Sequence, residues 1–210
     1  MTHPGGTRLR TILVAVAAAM ALVIAASVGF LWGRADNHIP GPSAVDVGFA
    51  RDMSTHHEQA IAMAGHVRDT TTDKRVRATA FDIETAQISE LGAMTGWLAE
   101  RDISPNVQTP MTWMAGHDHL TNGLMPGMAT PAQMRSLLGS SGHRMDVLFL
   151  QLMLRHHQGG IEMAKYASEH ASSPYLRDLA TRMYGVQAGE IVNIEQLLRQ
   201  LGGVPLAPPT

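Results

Sequence analysis

The feature that most constrains this 210-residue chain is an internal repeat at an offset of 100 residues. DVGFARDMSTHHEQAIAMA at 46–64 aligns without gaps with DVLFLQLMLRHHQGGIEMA at 146–164. Nine of the 19 positions are identical: Asp46, Val47, Phe49, Met53, His56, His57, Ile61, Met63 and Ala64, each with its counterpart in the second copy. On a helix turning 100° per residue, with Met53 at zero, the identities run from Met63 at −80° to Val47 at +120°. Twelve of the 19 positions fall in that arc and nine match, while none of the seven outside it does. One helical face has been kept twice and the rest has diverged, as expected of two related helices packed into one core.

The same offset continues into a second helix of each half, where Arg77, Ala80, Gln87, Glu90 and Leu98 match Arg177, Ala180, Gln187, Glu190 and Leu198. Gln87 and Glu90 share the apolar face with Ile83, Leu91, Met94 and Leu98, and Gln187 and Glu190 are placed alike. A carboxylate on such a face needs a partner, and the paired histidines of the preceding helix can supply one. Ser43-x-x-Asp46 and Thr130-x-x-Gln133 read as capping boxes, Ser173-Pro174 as an N-cap with Pro at the first helical position, and Gly202-Gly203 as a helix stop. The expected fold is all-α: an up-down four-helix bundle built from two related αα-hairpins, with helices over 44–69, 73–101, 144–171 and 174–201.

Residues 11–32, TILVAVAAAMALVIAASVGFLW, carry no charge. At 1.5 Å per residue they would reach roughly 33 Å, enough for about 30 Å of hydrocarbon. Arg8 and Arg10 precede the run, so a single-pass anchor with residues 1–10 in the cytoplasm and the rest outside is the expectation. A signal peptide, cleaved to release the remainder, is the alternative. Residues 33–43, with two Pro and two Gly, read as a linker. The working domain is then 44–203: repeat halves 44–101 and 144–201 and a connector over 102–143.

Composition matters here through what is missing and what is in surplus. The chain has no Cys, which excludes disulfides, thiolate metal sites and Cys nucleophiles together, but it has 14 Met and 11 His. A formal net charge of −2 argues against nucleic acid as a partner. Each half contains Met-x-x-His-His-x-x-x-Ile-x-Met, which supplies Met53, His56, His57 and Met63, then Met153, His156, His157 and Met163. The connector adds Met111, Met114, His117, His119, Met125 and Met128. Thioether sulfur selects Cu(I) and imidazole accepts either copper oxidation state, so these residues are candidate copper ligands, with Glu90, Glu190, Gln87 and Gln187 as supporting or alternative ones. The competing account is packing: Met fills irregular cores, and His pairs with buried Glu or caps a carbonyl.

The second motif, Asp146-Val-Leu-Phe-Leu-x-x-Met-x-x-His-His-x-Gly-x-Ile-x-Met-Ala, preceded by Met125-Pro-Gly-Met-x-Thr-x-x-Gln-Met134, resembles the bacterial family called domain of unknown function 305. The resemblance spans about residues 44–201. It implies a ferritin-like four-helix bundle, often exported or membrane-anchored, in a family with some copper-binding members. It implicates the two Met-His-His sets and the Met/His connector. The first copy departs from the motif: Glu58-Gln59-Ala60 stands where the second has Gln158-Gly159-Gly160.

Three functions follow as expectations. The first is a non-enzymatic, membrane-anchored copper-binding protein for sequestration, delivery or tolerance, alone, as a homo-oligomer or with a copper-handling partner. The second is a di-iron or di-manganese oxidase, for which the Glu-x-x-His signature is missing. The third is a metal-free interaction module whose buried His–Glu pairs set helix register.

Overall fold

The computed structural model describes residues 5–35, 41–106, 109–116, 120 and 123–207. Among these residues the secondary structure is helical: α1 (Gly5–Ala35), α2 (Ala44–Thr70), α3 (Lys74–Ala99), α4 (Pro131–Leu138), α5 (Gly142–His170) and α6 (Pro174–Gln200). Packing separates Met1–Gly41 from Pro42–Thr210.

In the first unit, α1 covers the apolar run, and its described side chains from Val16 to Phe30 are exposed. Among the described residues no helix is long and apolar enough to cross a membrane. The expected single-pass anchor over residues 11–32 is therefore not supported by the structure.

In the second unit the four long helices lie within two residues of the expected spans at each end. Both capping boxes form: Ser43 accepts from the Asp46 amide at 3.1 Å, and Thr130 accepts from the Gln133 amide at 3.2 Å. Ser173 caps α6, and Gly202, with φ +70°, ends the chain's last helix as the Gly203 amide returns to the Leu198 carbonyl.

Helix α2 packs on α3 and α5 on α6; the hairpins meet chiefly through α2 and α5, and more loosely through α3 and α6. Met53 shares a buried cluster with Met163, whereas Met63 shares the other with Met153. Residues early in one helix thus meet residues late in its repeat mate, so α2 and α5 run antiparallel about a pseudo-twofold axis. The identical aspartates brace that arrangement across the hairpins. Asp46 accepts from the Ser173 amide at 2.9 Å, and Asp146 accepts from the Thr71 hydroxyl at 2.7 Å. Arg77 and Arg177 also play matching parts, donating to the Thr71 and Ala171 carbonyls.

The connector breaks the twofold. Trp113 lies against Gly48, where any Cβ would collide with the indole. Asp52, 2% exposed, accepts from the Met111 amide at 2.6 Å and the Trp113 indole N–H at 2.7 Å. Met111 is held at φ +65°, a left-handed conformation that costs a non-glycine residue energy and needs such anchoring.

Candidate metal centre

At mid-bundle, α2 supplies His56 and His57 and α5 supplies His156 and His157, all at most 1% exposed. Adjacent histidines on a helix diverge by 100°, so each pair points two ways. His56 and His156 turn toward each other across the axis, their ring centroids 3.7 Å apart and planes tilted by 33°. His57 and His157 turn toward their own hairpins. His57 Nε2 lies 2.8 Å from Glu90 Oε2, and His157 Nε2 lies 2.7 Å from Glu190 Oε2. The identity of Glu90 and Glu190 across the repeat is thereby explained: each anchors the histidine 33 residues before it.

The partners fix the tautomers. His56 Nε2 donates to the Pro126 carbonyl at 3.1 Å and His156 Nε2 to the His56 carbonyl at 3.1 Å, because a carbonyl can only accept. In its neutral form each of the four rings therefore carries its lone pair on Nδ1. For His56, His57 and His157 that atom is buried and has no hydrogen-bond partner among the described residues. Gln87 and Gln187, each 2% exposed, leave their Oε1 atoms equally unpartnered. A Cβ on Gly160 would stand 2.7 Å from Gln187 Oε1 and 3.1 Å from His56 Cε1, which places these groups together. The layer is thus a concentration of unmet buried acceptors, an arrangement that costs stability unless a cation or a donor meets it.

Burial pushes His56 down to about 3, with the neighbouring His57 adding to the effect, and burial together with His56 holds His156 well below the usual histidine range. Both rings stay neutral, and hence able to act as ligands, at any pH a cell maintains. Among the described residues no three His, Asp or Glu side chains converge as a ready-made cation site. What the layer offers is imidazole nitrogen and amide oxygen, with two carboxylates one step behind, their side chains 15% and 18% exposed. A carboxylate on the far nitrogen is the usual device for orienting a metal-binding imidazole.

The expected methionine ligands are buried in or packed against the two apolar clusters. Met53, Met163, Met111, Met114 and Met125 are at most 5% exposed and fill one apolar cluster, with Met128 packed against it. Met63 and Met153 fill the other. The structure therefore packs the connector methionines down onto the bundle as part of its core. His117 and His119 lie outside the described residues. Sequence reasoning missed Gly48, Asp52, Gln59, Trp113 and Gly159, which seat the connector. Their signal was present: Gly48, Asp52 and Gln59 align with Leu148, Leu152 and Gly159 in the repeat, all on one stripe outside the identity arc.

Comparison with known proteins adds context. The family model described as Domain of unknown function (DUF305) matches residues 46–198. The crystal structure of a candidate secreted DUF305 protein from Streptomyces coelicolor is 40% identical, covers 78% of this chain and 96% of that one, and gives a TM-score of 0.71. A DUF305 fragment from Deinococcus radiodurans is 26% identical over 77% of this chain and 99% of that one, with a TM-score of 0.65. CopM in its Cu(II)-bound form is 22% identical over 74% of this chain and 96% of that one, with a TM-score of 0.61, a likeness of fold. No curated protein sequence matches the chain.

Proposed function

The chain belongs to the DUF305 family, and from that premise we propose that it is an extracytoplasmic protein that takes up Cu(I) as cargo between its two hairpins, serving sequestration, delivery or tolerance. One observation carries the reading: His57 and His157, each oriented by a glutamate through Nε2, present at related positions buried Nδ1 atoms that have no partner among the described residues. Neutral imidazoles suit copper, and with so few ligands at hand the monovalent ion is easier to desolvate than the divalent one. In this reading His57 and His157 hold the ion, Gln87 and Gln187 stand beside them, and Glu90 and Glu190 act as positioning residues that also offset its charge. The methionine clusters at either end exclude water. The Cu(II)-bound CopM fold, the absence of Cys, the apolar residues 11–32 and the candidate secreted Streptomyces relative support copper handling outside the cytoplasm. An iron-pair oxidase would need Glu90 and Glu190 as direct ligands, and here both are committed to histidine.

The test is anaerobic competition of the full chain against a chromogenic Cu(I) chelator. The expected dissociation constant is below about 1 μM, about −8 kcal/mol. Replacing both His57 and His157 by Ala should abolish competition, and Glu90→Gln should weaken it by roughly ten- to a hundredfold. Wild-type affinity in the double variant, or none in the wild type, would refute the reading.

A further inference from the structure

The lone pairs that give the histidine layer its chemistry are shut away from solvent, so the route by which an ion reaches them is part of the design. On the α3 and α6 side the rings present Nε2–H groups already engaged by Glu90 and Glu190. On the α2 and α5 side lies a strap of the connector, Met125-Pro126-Gly127-Met128-Ala129. It sits flush on the helices. The Pro126 carbonyl takes the His56 N–H, and a Cβ on Gly159 would collide with that same carbonyl. Gly127 presses on the other histidine helix so closely that its own Cβ would lie 3.0 Å from His156 Cα.

The far end of the strap is held chiefly by Gln59. Gln59 accepts from the Ala129 amide at 2.6 Å and donates to the Ala129 carbonyl at 2.9 Å, and Arg155 adds a longer bond to the Met128 carbonyl at 3.4 Å. Gly123 and Gly127, with φ +77° and +80°, bracket the first part of the strap with positions that can change conformation at little steric cost. Met125 belongs to the cluster of Met53 and Met163, and Met128 packs at its edge, so the strap brings two thioethers to the boundary of the layer.

We infer that the Met125–Ala129 strap is a gate, latched by Gln59, whose lifting from Gly159 admits Cu(I) to the histidine layer and releases it. The inference rests on the copper reading above and adds a route and a latch to it. Because the latch closes over both the empty and the loaded layer, loosening it accelerates loading and release together and leaves affinity alone.

The experiment follows Cu(I), supplied to the full chain as its acetonitrile complex and withdrawn by chelator, in stopped flow. Gln59→Ala removes two hydrogen bonds and no core atom, and should load and release roughly tenfold faster than the wild type at unchanged affinity. Gly159→Ala should behave alike by pushing on Pro126, and Gln59→Ala decides the matter where Gly159→Ala fails to fold. Hydrogen exchange of the metal-free protein gives an independent readout: the amides of Gly127–Ala129 should exchange faster in Gln59→Ala while those of α3 and α6 do not. Unchanged loading and release rates, or unchanged exchange of the strap, in a chain that binds Cu(I) overturn the gate and leave the copper reading standing. A wild-type chain that takes up no Cu(I) overturns both.

Discussion

The hairpins α2–α3 and α5–α6 agree where they face each other and differ where they face the connector. Inside, the His57–Glu90 and His157–Glu190 bonds repeat to within 0.1 Å, at 2.8 and 2.7 Å. Outside, α2 offers Gly48, Asp52 and Gln59 to the connector, whereas α5 has Leu148 and Leu152 at the first two positions and Gly159 at the third. His56 and His156 lie on the border and show both tendencies. Each is buried beside the other, yet one donates to the connector's Pro126 and the other to the backbone of the first hairpin. The repeat has thus kept its central residues in two copies while its outer positions diverged to seat a single connector.

Exchanging the outer residues should break the comparison most severely. Leu152 is fully buried in an apolar cluster, so Leu152→Asp puts a carboxylate where nothing can receive it and should cost roughly 3–5 kcal/mol in urea denaturation. Asp52→Leu loses only the bonds to Met111 and Trp113 and should cost less, roughly 1–3 kcal/mol. Equal penalties would mean that the stripe difference is incidental.

The inner pairs should respond alike. Glu90→Gln and Glu190→Gln each weaken a charge-assisted bond and should lose about 1–2 kcal/mol, the same in both halves. A large difference between them would show that the connector reaches further inward than its contacts indicate.

Acid should act on the border pair. With His56 pushed down to about 3 in the folded state, the unfolded chain takes up a proton below the ordinary value of 6.5 that the folded chain refuses. Stability is therefore fully present above pH 6.5 and falls as the pH drops toward the folded value. Denaturant midpoints should register a loss of about 1 kcal/mol from His56 between pH 7 and 5.5. His156, depressed by the same burial, adds a loss of the same sign, and Asp52, raised by burial, acts in the opposite direction. A flat profile would contradict the neutral state of the buried pair.

The smallest effect concerns the methionines. Met94 and Met183 lie in the connector-side cluster, while their repeat mates Ile194 and Ile83 lie in the other. If thioethers there serve packing, Met94→Ile should cost less than about 1.5 kcal/mol and leave copper affinity unaltered. A lost copper equivalent would move the chemistry from the histidine layer to the methionines.

Much of this was legible in the sequence because it is periodic. The identity arc marked the buried face of α2 and α5, the caps marked the helix ends, and Glu90 and Glu190 on apolar faces implied the histidine partners that they have. The docking stripe was not legible. Gly48, Asp52 and Gln59 sit on the diverged side of α2, and a polar residue on an outward face reads as solvated until a distant, aperiodic segment is known to cover it. The connector methionines were ambiguous for a related reason: a soft ligand and a flexible core filler are the same side chain. The tautomer that leaves His56 Nδ1 free depends on the Pro126 carbonyl, which no side-chain pattern reveals.

The central claim is that the two glutamate-oriented histidines, rather than the methionines, hold the ion. Copper-edge X-ray absorption on the full chain loaded with one equivalent of Cu(I) addresses it directly. The account predicts the multiple-scattering pattern of imidazole nitrogens, lost when His57 and His157 are both replaced by Ala. A shell of sulfur alone, unchanged in that double variant, would contradict it.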